Sequence, residues 1–499
     1  MELNFDRVTV SCLAPAIREV QNSEQTQEIR LTDGMPDVGH VVSSWGQVIL
    51  RGKEWRSDRI SFSGGVMVWV LYVPEDGGAA QCMDTWIPFT MNWELPDGVP
   101  EGEIRIRCMP RFVDARNVSP RKILVRAGVA AMAEAFVPTT ADLSQPQKVP
   151  EGVELLRRSY PVRLYQEAGE KVFTQDEELN LPDSVPQPED LISYRFNPSV
   201  SDRKVLADKI VFRGNSNLHV LYRSEEGQLH SWDFDLPFSQ FAELDREHGS
   251  EAAVDLVLCP TNLELELTGE GVFRFKGNVT AQYAVSDKQQ LEVVEDAYSP
   301  TREIEQKMTM LSLPILLENR RETLHAQQPI SADVNISVET VFMPDFPRIR
   351  KTENGMEMDQ HGVFQTLSYG ENGALQGASA RWEGQQPLRW EEDEEIIAAP
   401  LAVDAQSAIG NGQMIAKAEV SLDIYGISHQ KIPVVTGITL GEARKADPSR
   451  PTLILRRAGK QRLWDLAKEN GSTVEDIRRV NQLQDEPAPE QMLLIPVKG

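Results

Sequence analysis

Long apolar runs are missing from this 499-residue chain, and so is any excess of positive charge. No stretch is apolar over the length a helix needs to span a bilayer, so membrane insertion is not expected. The opening residues, Met1-Glu-Leu-Asn-Phe-Asp-Arg-Val8, are acidic and interrupted, unlike a secretory leader. The expectation is a protein that works in the cytoplasm. With 51 Lys and Arg against 76 Asp and Glu, the net charge is −25. Such a surface repels phosphate backbones and anionic headgroups, so nucleic acid is not an expected partner. Cysteine is scarce as well. Cys12, Cys82, Cys108 and Cys259 have neither metal-type spacing nor the density of a disulfide framework, and reduced thiols fit a cytoplasmic location.

Catalytic signatures are equally scarce. The seven histidines, His40, His219, His230, His248, His325, His361 and His429, are scattered and form no zinc-protease motif. His219 and His230 are expected on strand surfaces. No phosphate loop and no nucleophile elbow occurs. The acidic run Glu391–Glu395 lacks the spaced ligands of a calcium loop and reads as a solvated face. No catalytic residue, metal or cofactor is predicted, nor a pocket where histidine and carboxylates converge. The chain is not expected to be an enzyme.

What is present is repetition. Gly64-Gly-Val-Met-Val-Trp-Val70-Leu71-Tyr72 returns as Gly214-Asn-Ser-Asn-Leu-His-Val220-Leu221-Tyr222. Acidic glycine turns follow both, at Pro74–Gly77 and Ser224–Gly227. Trp86-Ile-Pro88-Phe89-Thr returns as Asp235-Leu-Pro237-Phe238-Ser, and Cys108-Met-Pro110 as Cys259-Pro260. Leu31-Thr-Asp-Gly-Met-Pro36 resembles Leu181-Pro-Asp-Ser-Val-Pro186. The offset stays near 150 residues, from Tyr72 to Tyr222 for example, so a whole domain is duplicated. A worn third copy is marked by Phe364–Gly373, by Gln386-Pro387-Leu-Arg-Trp390 where the Pro-Phe strand should be, and by Pro400. Met343-Pro-Asp-Phe-Pro347 replaces its first strands.

Each copy reads as β. Leu263, Leu265 and Leu267 alternate with Glu264 and Glu266, and Phe273, Phe275 and Val279 continue the pattern beyond a Gly269-Glu-Gly271 turn, which predicts a hairpin. Short strands between Gly, Pro, Asp and Asn turns suggest sandwiches. Pro88 and Pro237 then belong at strand starts or on edge strands. Trp86, Phe89 and Trp93, with Trp232, Phe234, Phe238 and Phe241, are read mainly as core, with room for an exposed anchor. Thr139–Arg158 and Asp296–Gln327 read as connectors, and Ile304–Asn319 as a helix that Pro314 would break.

The C-terminus changes period. Leu463, Leu466 and Ala467 share a helical face, Asn470-Gly471 ends that helix, and Ser472-Thr-Val-Glu475 reads as a capping box. Val474, Ile477 and Val480 form the buried face of the second helix, and Met492–Pro496 a closing strand. The predicted core is Leu463, Leu466, Ala467, Val474, Ile477, Leu493 and Ile495. From residue 452 onward there are eight Lys and Arg and seven Asp and Glu, so the acidity lies upstream.

This stretch resembles a LysM domain, through Leu463-Trp464-x-Leu-Ala467, Gly471-Ser-Thr-Val-Glu475-x-Ile477, Asn481 and Leu493-Leu-Ile-Pro496. The resemblance implies a peptidoglycan or chitin-type glycan partner containing N-acetylglucosamine. It places the binding surface on the loop and first helix, at Gly459, Lys460, Gln461, Arg462, Leu463 and Trp464. That loop departs from the usual G-D-[ST]-L-W by gaining two cations, so a protein surface, a glycan or a purely structural cap all remain open. Together with the P-D, V-L-Y and L-P-F-S motifs of the repeats, the domain order resembles the SipL-like spore-coat morphogenetic proteins of sporulating Firmicutes. That resemblance implies a coat basal-layer protein as partner, on the mother-cell side of the forespore.

The expected architecture is mainly β: tandem β-sandwich-like repeat domains followed by a small βααβ LysM domain. The copies should occupy residues 1–150, 151–300 and 301–445, the last degenerate with a connector, and the C-terminal module 451–499. The expected role is a non-enzymatic adaptor in coat assembly, with a cell-wall glycan-binding protein as the alternative.

Overall fold

The computed structural model describes residues 3–498, except Asn4, Gln147, Glu270, Glu318, Asp333, Asn354, 391–393, 411–412, Gln430, 445–450, Lys460 and Pro489. The chain is mainly β, with two short helices near its C-terminus. Unit one comprises β1 (Phe5–Arg30), β2 (Val38–Trp55), β3 (Arg59–Pro74), β4 (Gln81–Glu94), β5 (Glu103–Ser119) and β6 (Lys122–Pro146). Unit two repeats them as β7 (Glu154–Asn180), β8 (Pro188–Leu206), β9 (Lys209–Ser224), β10 (Leu229–Glu243), β11 (Ala253–Gly269) and β12 (Val272–Tyr298). In each unit a three-stranded sheet, β2-β3-β4 or β8-β9-β10, faces a second sheet, β5-β6-β1 or β11-β12-β7. The two second sheets join through a single β1–β7 pairing at Leu13 and Tyr165.

Unit three is built from β13 (Arg302–Ser312), β14 (Ile315–Leu316), β15 (Arg320–Ala332), β16 (Val334–Pro344), β17 (Arg348–Thr352), β18 (Gly355–Gly370), β19 (Leu375–Leu388), β20 (Glu394–Gly410), β21 (Gln413–Ser428) and β22 (Lys431–Ala443). Its sheets, β16 and β17 with β18-β19, and β20-β21-β15, repeat the same pairing. Met343–Pro347 interrupts the strand equivalent to β2, leaving β16 and β17 as its halves on β18.

The duplication extends to backbone irregularities. Register shifts at Val38/His40, Val41/Ser43, Leu50/Gly52 and Pro110/Phe112 recur 150 residues later at Pro188/Asp190, Leu191/Ser193, Val200/Asp202 and Pro260/Asn262. Tyr72 and Tyr222 hold equivalent places, and each hydroxyl donates to a proline carbonyl, Pro36 at 3.1 Å and Pro186 at 3.0 Å. Gly77, Gly227 and Gly373 close the acidic turns with φ of 77°, 82° and 73°. Only glycine adopts that region without strain, which is why the turn glycine persists even in the worn copy. Pro88 and Pro237 lie in β4 and β10, edge strands whose missing ladder donors go unnoticed. Pro387 does not share their place. It pairs with Glu357, whereas Glu383, opposite His361, holds the position equivalent to Pro88 opposite Gly65.

The repeated apolar motif has a reason in two-sided burial. Val66, Val68, Val70 and Tyr72 fill the core of unit one, while Trp69 and Leu71 on the opposite face enter a second cluster. Leu71, its counterpart Leu221 and the third-copy Leu367 all belong to that second cluster, where the three units meet. A strand covered on both faces reads as a continuous apolar run rather than an alternating one.

The stretches expected to be connectors are strands. β6 runs on to Pro146 and β7 begins at Glu154, while β12 runs on to Tyr298 and β13 follows at Arg302. Ile304–Asn319 holds no helix among its described residues, since β13 pairs with β22 from Arg302 to Ser312. The ends of β1–β6, β7–β12 and β13–β22 form three ribbons packed through Cys12, Leu143, Val162, Leu164, Val293, Leu311 and Val434. Tertiary packing of these ribbons overrides the weak local signal.

Ion pairs lock the units together. Glu134 of unit one binds Arg18 at 2.9 Å and Arg105 at 2.6 Å, and accepts from Tyr425 of unit three at 3.1 Å. Burial alone would raise this carboxyl, but Arg105 and Arg18 overcome it and hold it down at about 2. Glu339 of unit three joins Arg195 and His219 of unit two. His219, expected on a strand surface, is therefore covered by the neighbouring unit. Burial would raise Glu339 too, and Arg195 and His219 hold it at about 2.

Candidate functional site

The C-terminal module starts and ends in a two-stranded ribbon, β23 (Leu453–Arg457) with β24 (Met492–Pro496), and between them lie α1 (Leu463–Asn470) and α2 (Val474–Asn481). Its core contains Leu463, Leu466, Ala467, Ile477, Leu493 and Ile495, all fully buried, with Val474 partly buried against them. Gly471 closes α1 in the left-handed conformation with φ of 64°. The cap of α2 lies one residue beyond the expected box. Thr473, not Ser472, accepts from the Asp476 amide, and its hydroxyl donates to the Asp476 carboxylate at 2.7 Å. Asp476 thus takes the role foreseen for Glu475. Val480 is exposed rather than buried, because α2 ends there and its inward turn is carried by Asp476 and Ile477.

The sequence-predicted binding residues divide into two groups. Gln461 and Arg462 are exposed and held by local partners, Gln461 donating to Glu469 at 3.0 Å and Arg462 pairing with Asp465 at 3.2 Å. Gly459 lies beside them, and Lys460 falls outside the described residues. Leu463 and Trp464 point inward. The Leu463 amide donates to the Glu486 carboxylate at 2.9 Å, so an acid from the loop between α2 and β24 supplies the α1 cap that Arg462 lacks.

Trp464 seats the module on the β12 end of unit two. Its indole meets Tyr298 edge-on at 4.7 Å and donates to Asp296 at 2.8 Å. Lys468 reaches both Asp296 oxygens at 2.7 Å, and the Tyr298 hydroxyl donates to the Ser472 carbonyl at 3.0 Å. Burial would raise the Asp296 carboxyl, but hydrogen bonds from Lys468, Trp464 and Gln306 bring it below its ordinary value. Burial pushes the Tyr298 phenol up. Neither Asp296 nor Tyr298 carried a sequence signal, since both lie in the stretch read as a connector.

The face of the ribbon turned away from the core is apolar and open. Leu453, Leu455, Met492 and Leu494 are 50%, 62%, 52% and 37% exposed. Leu455 stands directly opposite Leu494, and Met492 opposite Arg457. Asn481 brackets the outer edge of β24, donating to the Leu494 carbonyl at 2.6 Å and accepting from its amide at 2.8 Å. The alternation that buries Ile454, Leu493 and Ile495 inside forces these four side chains outward.

Elsewhere, Phe89, Trp93, Phe234 and Phe238 are core residues, and Phe241 is exposed beneath Lys171. His248 is clamped between Asp287 at 2.8 Å and Glu167 at 3.3 Å. A cleft between units one and three also brings His361 to 3.7 Å from Glu383, so histidine and carboxylate do meet in a pocket, against the sequence expectation. Their convergence follows from cross-strand pairing of β18 with β19. Most of the acidic run Glu391–Glu395, its first three residues, lies outside the described residues. Among the described residues no group of three His, Cys, Asp or Glu could hold a metal ion, and no helix is long and apolar enough to cross a membrane.

Residues 187–266 match the family model described as SipL, SPOCS domain. The matched segment runs from the start of β8 into β11, through the apolar strand and proline edge strand that unit one repeats. It links this unit to a sporulation-related family. No curated protein and no solved structure matches the chain.

Proposed function

We propose that this chain is a non-enzymatic adaptor of spore-coat assembly, a scaffold of three β units that presents a C-terminal docking module. The observation that carries this reading is the open apolar face of Leu453, Leu455, Met492 and Leu494 on the β23–β24 ribbon. A contiguous exposed apolar patch with a polar rim is characteristic of a protein–protein contact. Arg457 at its margin, with the near-neutral balance of the module beside acidic units, favours an acidic or neutral partner surface over a basic one. The domain match to a sporulation family and the resemblance of the whole chain supply the partner class, a coat basal-layer protein on the mother-cell side of the forespore.

The module is LysM-like in this reading but repurposed. Trp464 and Leu463 face its own core and Tyr298, so glycan capture would have to rely on Gln461, Arg462 and the second loop alone. Glycan binding is the second reading, supported by the βααβ arrangement. The two separate on the ribbon face. Leu455→Glu should abolish binding to the basal-layer protein while leaving the module folded, because Leu455 touches solvent. Retained binding of that variant, with saturable uptake of N-acetylglucosamine oligomers, would favour the glycan reading.

A further inference from the structure

The acidic surface is interrupted by a cleft of about 760 Å³ between units one and three, a size typical of ligand sites. Its walls come from β2 and β5 on one side and β18 and β19 on the other. Every carboxylate in the lining has a cation of its own. Asp345 takes Arg111, Glu24 takes Arg126 with Asp114 nearby, and Glu383 faces His361. Arg348 and Arg381, both exposed in the same cleft, have no ion pair among the described residues. On the floor, Gln365 donates to the Val113 carbonyl at 2.9 Å while its own carbonyl oxygen is buried without a donor. Trp382 adds an aromatic wall, packed edge-on against Phe342.

We propose that this cleft binds an acidic, extended peptide segment of a partner protein. The two free guanidinium groups recognise its carboxylates, as planar forks suited to bidentate pairing. A peptide N–H satisfies the Gln365 oxygen, a role an inorganic anion without a proton could not fill. Trp382 covers the intervening apolar atoms. No residue of the C-terminal module lines the cleft, so this site stands or falls independently of the ribbon face.

Fluorescence anisotropy of the full chain tests it, using an end-blocked, labelled seven-residue peptide rich in Glu and its Gln counterpart. The measurement belongs near 0.15 M salt, where screening over about 8 Å mutes repulsion by the −25 charge but spares direct contacts. Saturable binding of the Glu peptide is expected. The double variant Arg348→Glu with Arg381→Glu should weaken it by at least about tenfold, the loss expected for charge-assisted hydrogen bonds. Arg274→Glu, a reversal outside the cleft, should leave it unchanged. Both altered arginines are exposed, and an unchanged melting curve confirms that the double variant folds. Absence of saturable binding, equal binding of the Gln peptide, or equal loss in Arg274→Glu would overturn the proposal.

Discussion

At the residue scale, the buried acids carry the inter-unit contacts. Glu134 faces Arg18 and Arg105, which cannot give up their protons, so Glu134→Gln leaves two buried guanidinium groups without a counter-charge. The expected cost is about 3–5 kcal/mol, read by denaturant unfolding. The folded carboxyl titrates at about 2, below the roughly 4.3 of a free glutamate. Its stabilisation is therefore complete above that ordinary value and is lost as pH falls through about 2. A melting series from pH 7 to pH 2 should show the wild type losing its advantage over Glu134→Gln below about pH 4.5; parallel curves would refute the assignment. None of this was legible in the sequence, because Arg18, Arg105, Glu134 and Tyr425 are distant in the chain and meet only when units one and three pack. Trp464 is the opposite case. Its place in a regular helix pattern was readable, but its partner was not, since Tyr298 and Asp296 lie at the end of β12.

At the element scale, the cap of α2 separates two registers by one residue. Thr473→Ala should cost about 1 kcal/mol of α2 stability, measured by amide exchange within Val474–Asn481. Ser472→Ala should cost little, as its buried hydroxyl has no hydrogen-bond partner in the fold. The reverse ranking would restore the capping box read from the sequence. Hairpins and edge prolines were readable because turn chemistry is local: Gly271 with φ of 69° closes β11 to β12, and Pro88 and Pro237 fall on edge strands. The ribbons of β1–β6, β7–β12 and β13–β22 were not, because Thr139–Arg158 and Asp296–Gln327 lack regular alternation and are held as strands by packing against one another. A broken third strand at Met343–Pro347 was half visible. The prolines marked the interruption, but not that β17 resumes the same sheet.

At the scale of the whole molecule, three units share buried contacts, with Leu71, Leu221 and Leu367 in one cluster, and the module rests on the end of unit two. Trp464→Ala should loosen that seat by about 3–5 kcal/mol, combining a lost aromatic core residue with the Asp296 hydrogen bond. Faster amide exchange throughout Leu463–Asn470, with the β units unaffected, is the expected result; unchanged exchange would show that the seat contributes little. A rigid scaffold with one docking module would gain avidity on a polymeric coat surface, where many copies engage together. The module's helices and core were legible in the sequence because their 3.6-residue periodicity is strong. The outward leucines of β23 and β24 were not, since alternation in five-residue strands does not say which face another surface covers.

The most direct test of the adaptor account is a binding titration of the full chain, wild type and Leu455→Glu, against a purified coat basal-layer protein and against N-acetylglucosamine oligomers. The account predicts saturable protein binding by the wild type, at least about tenfold weaker in the variant, and no saturable binding of the sugar by either. Saturable sugar binding by both proteins, without measurable affinity for the basal-layer protein, would contradict it.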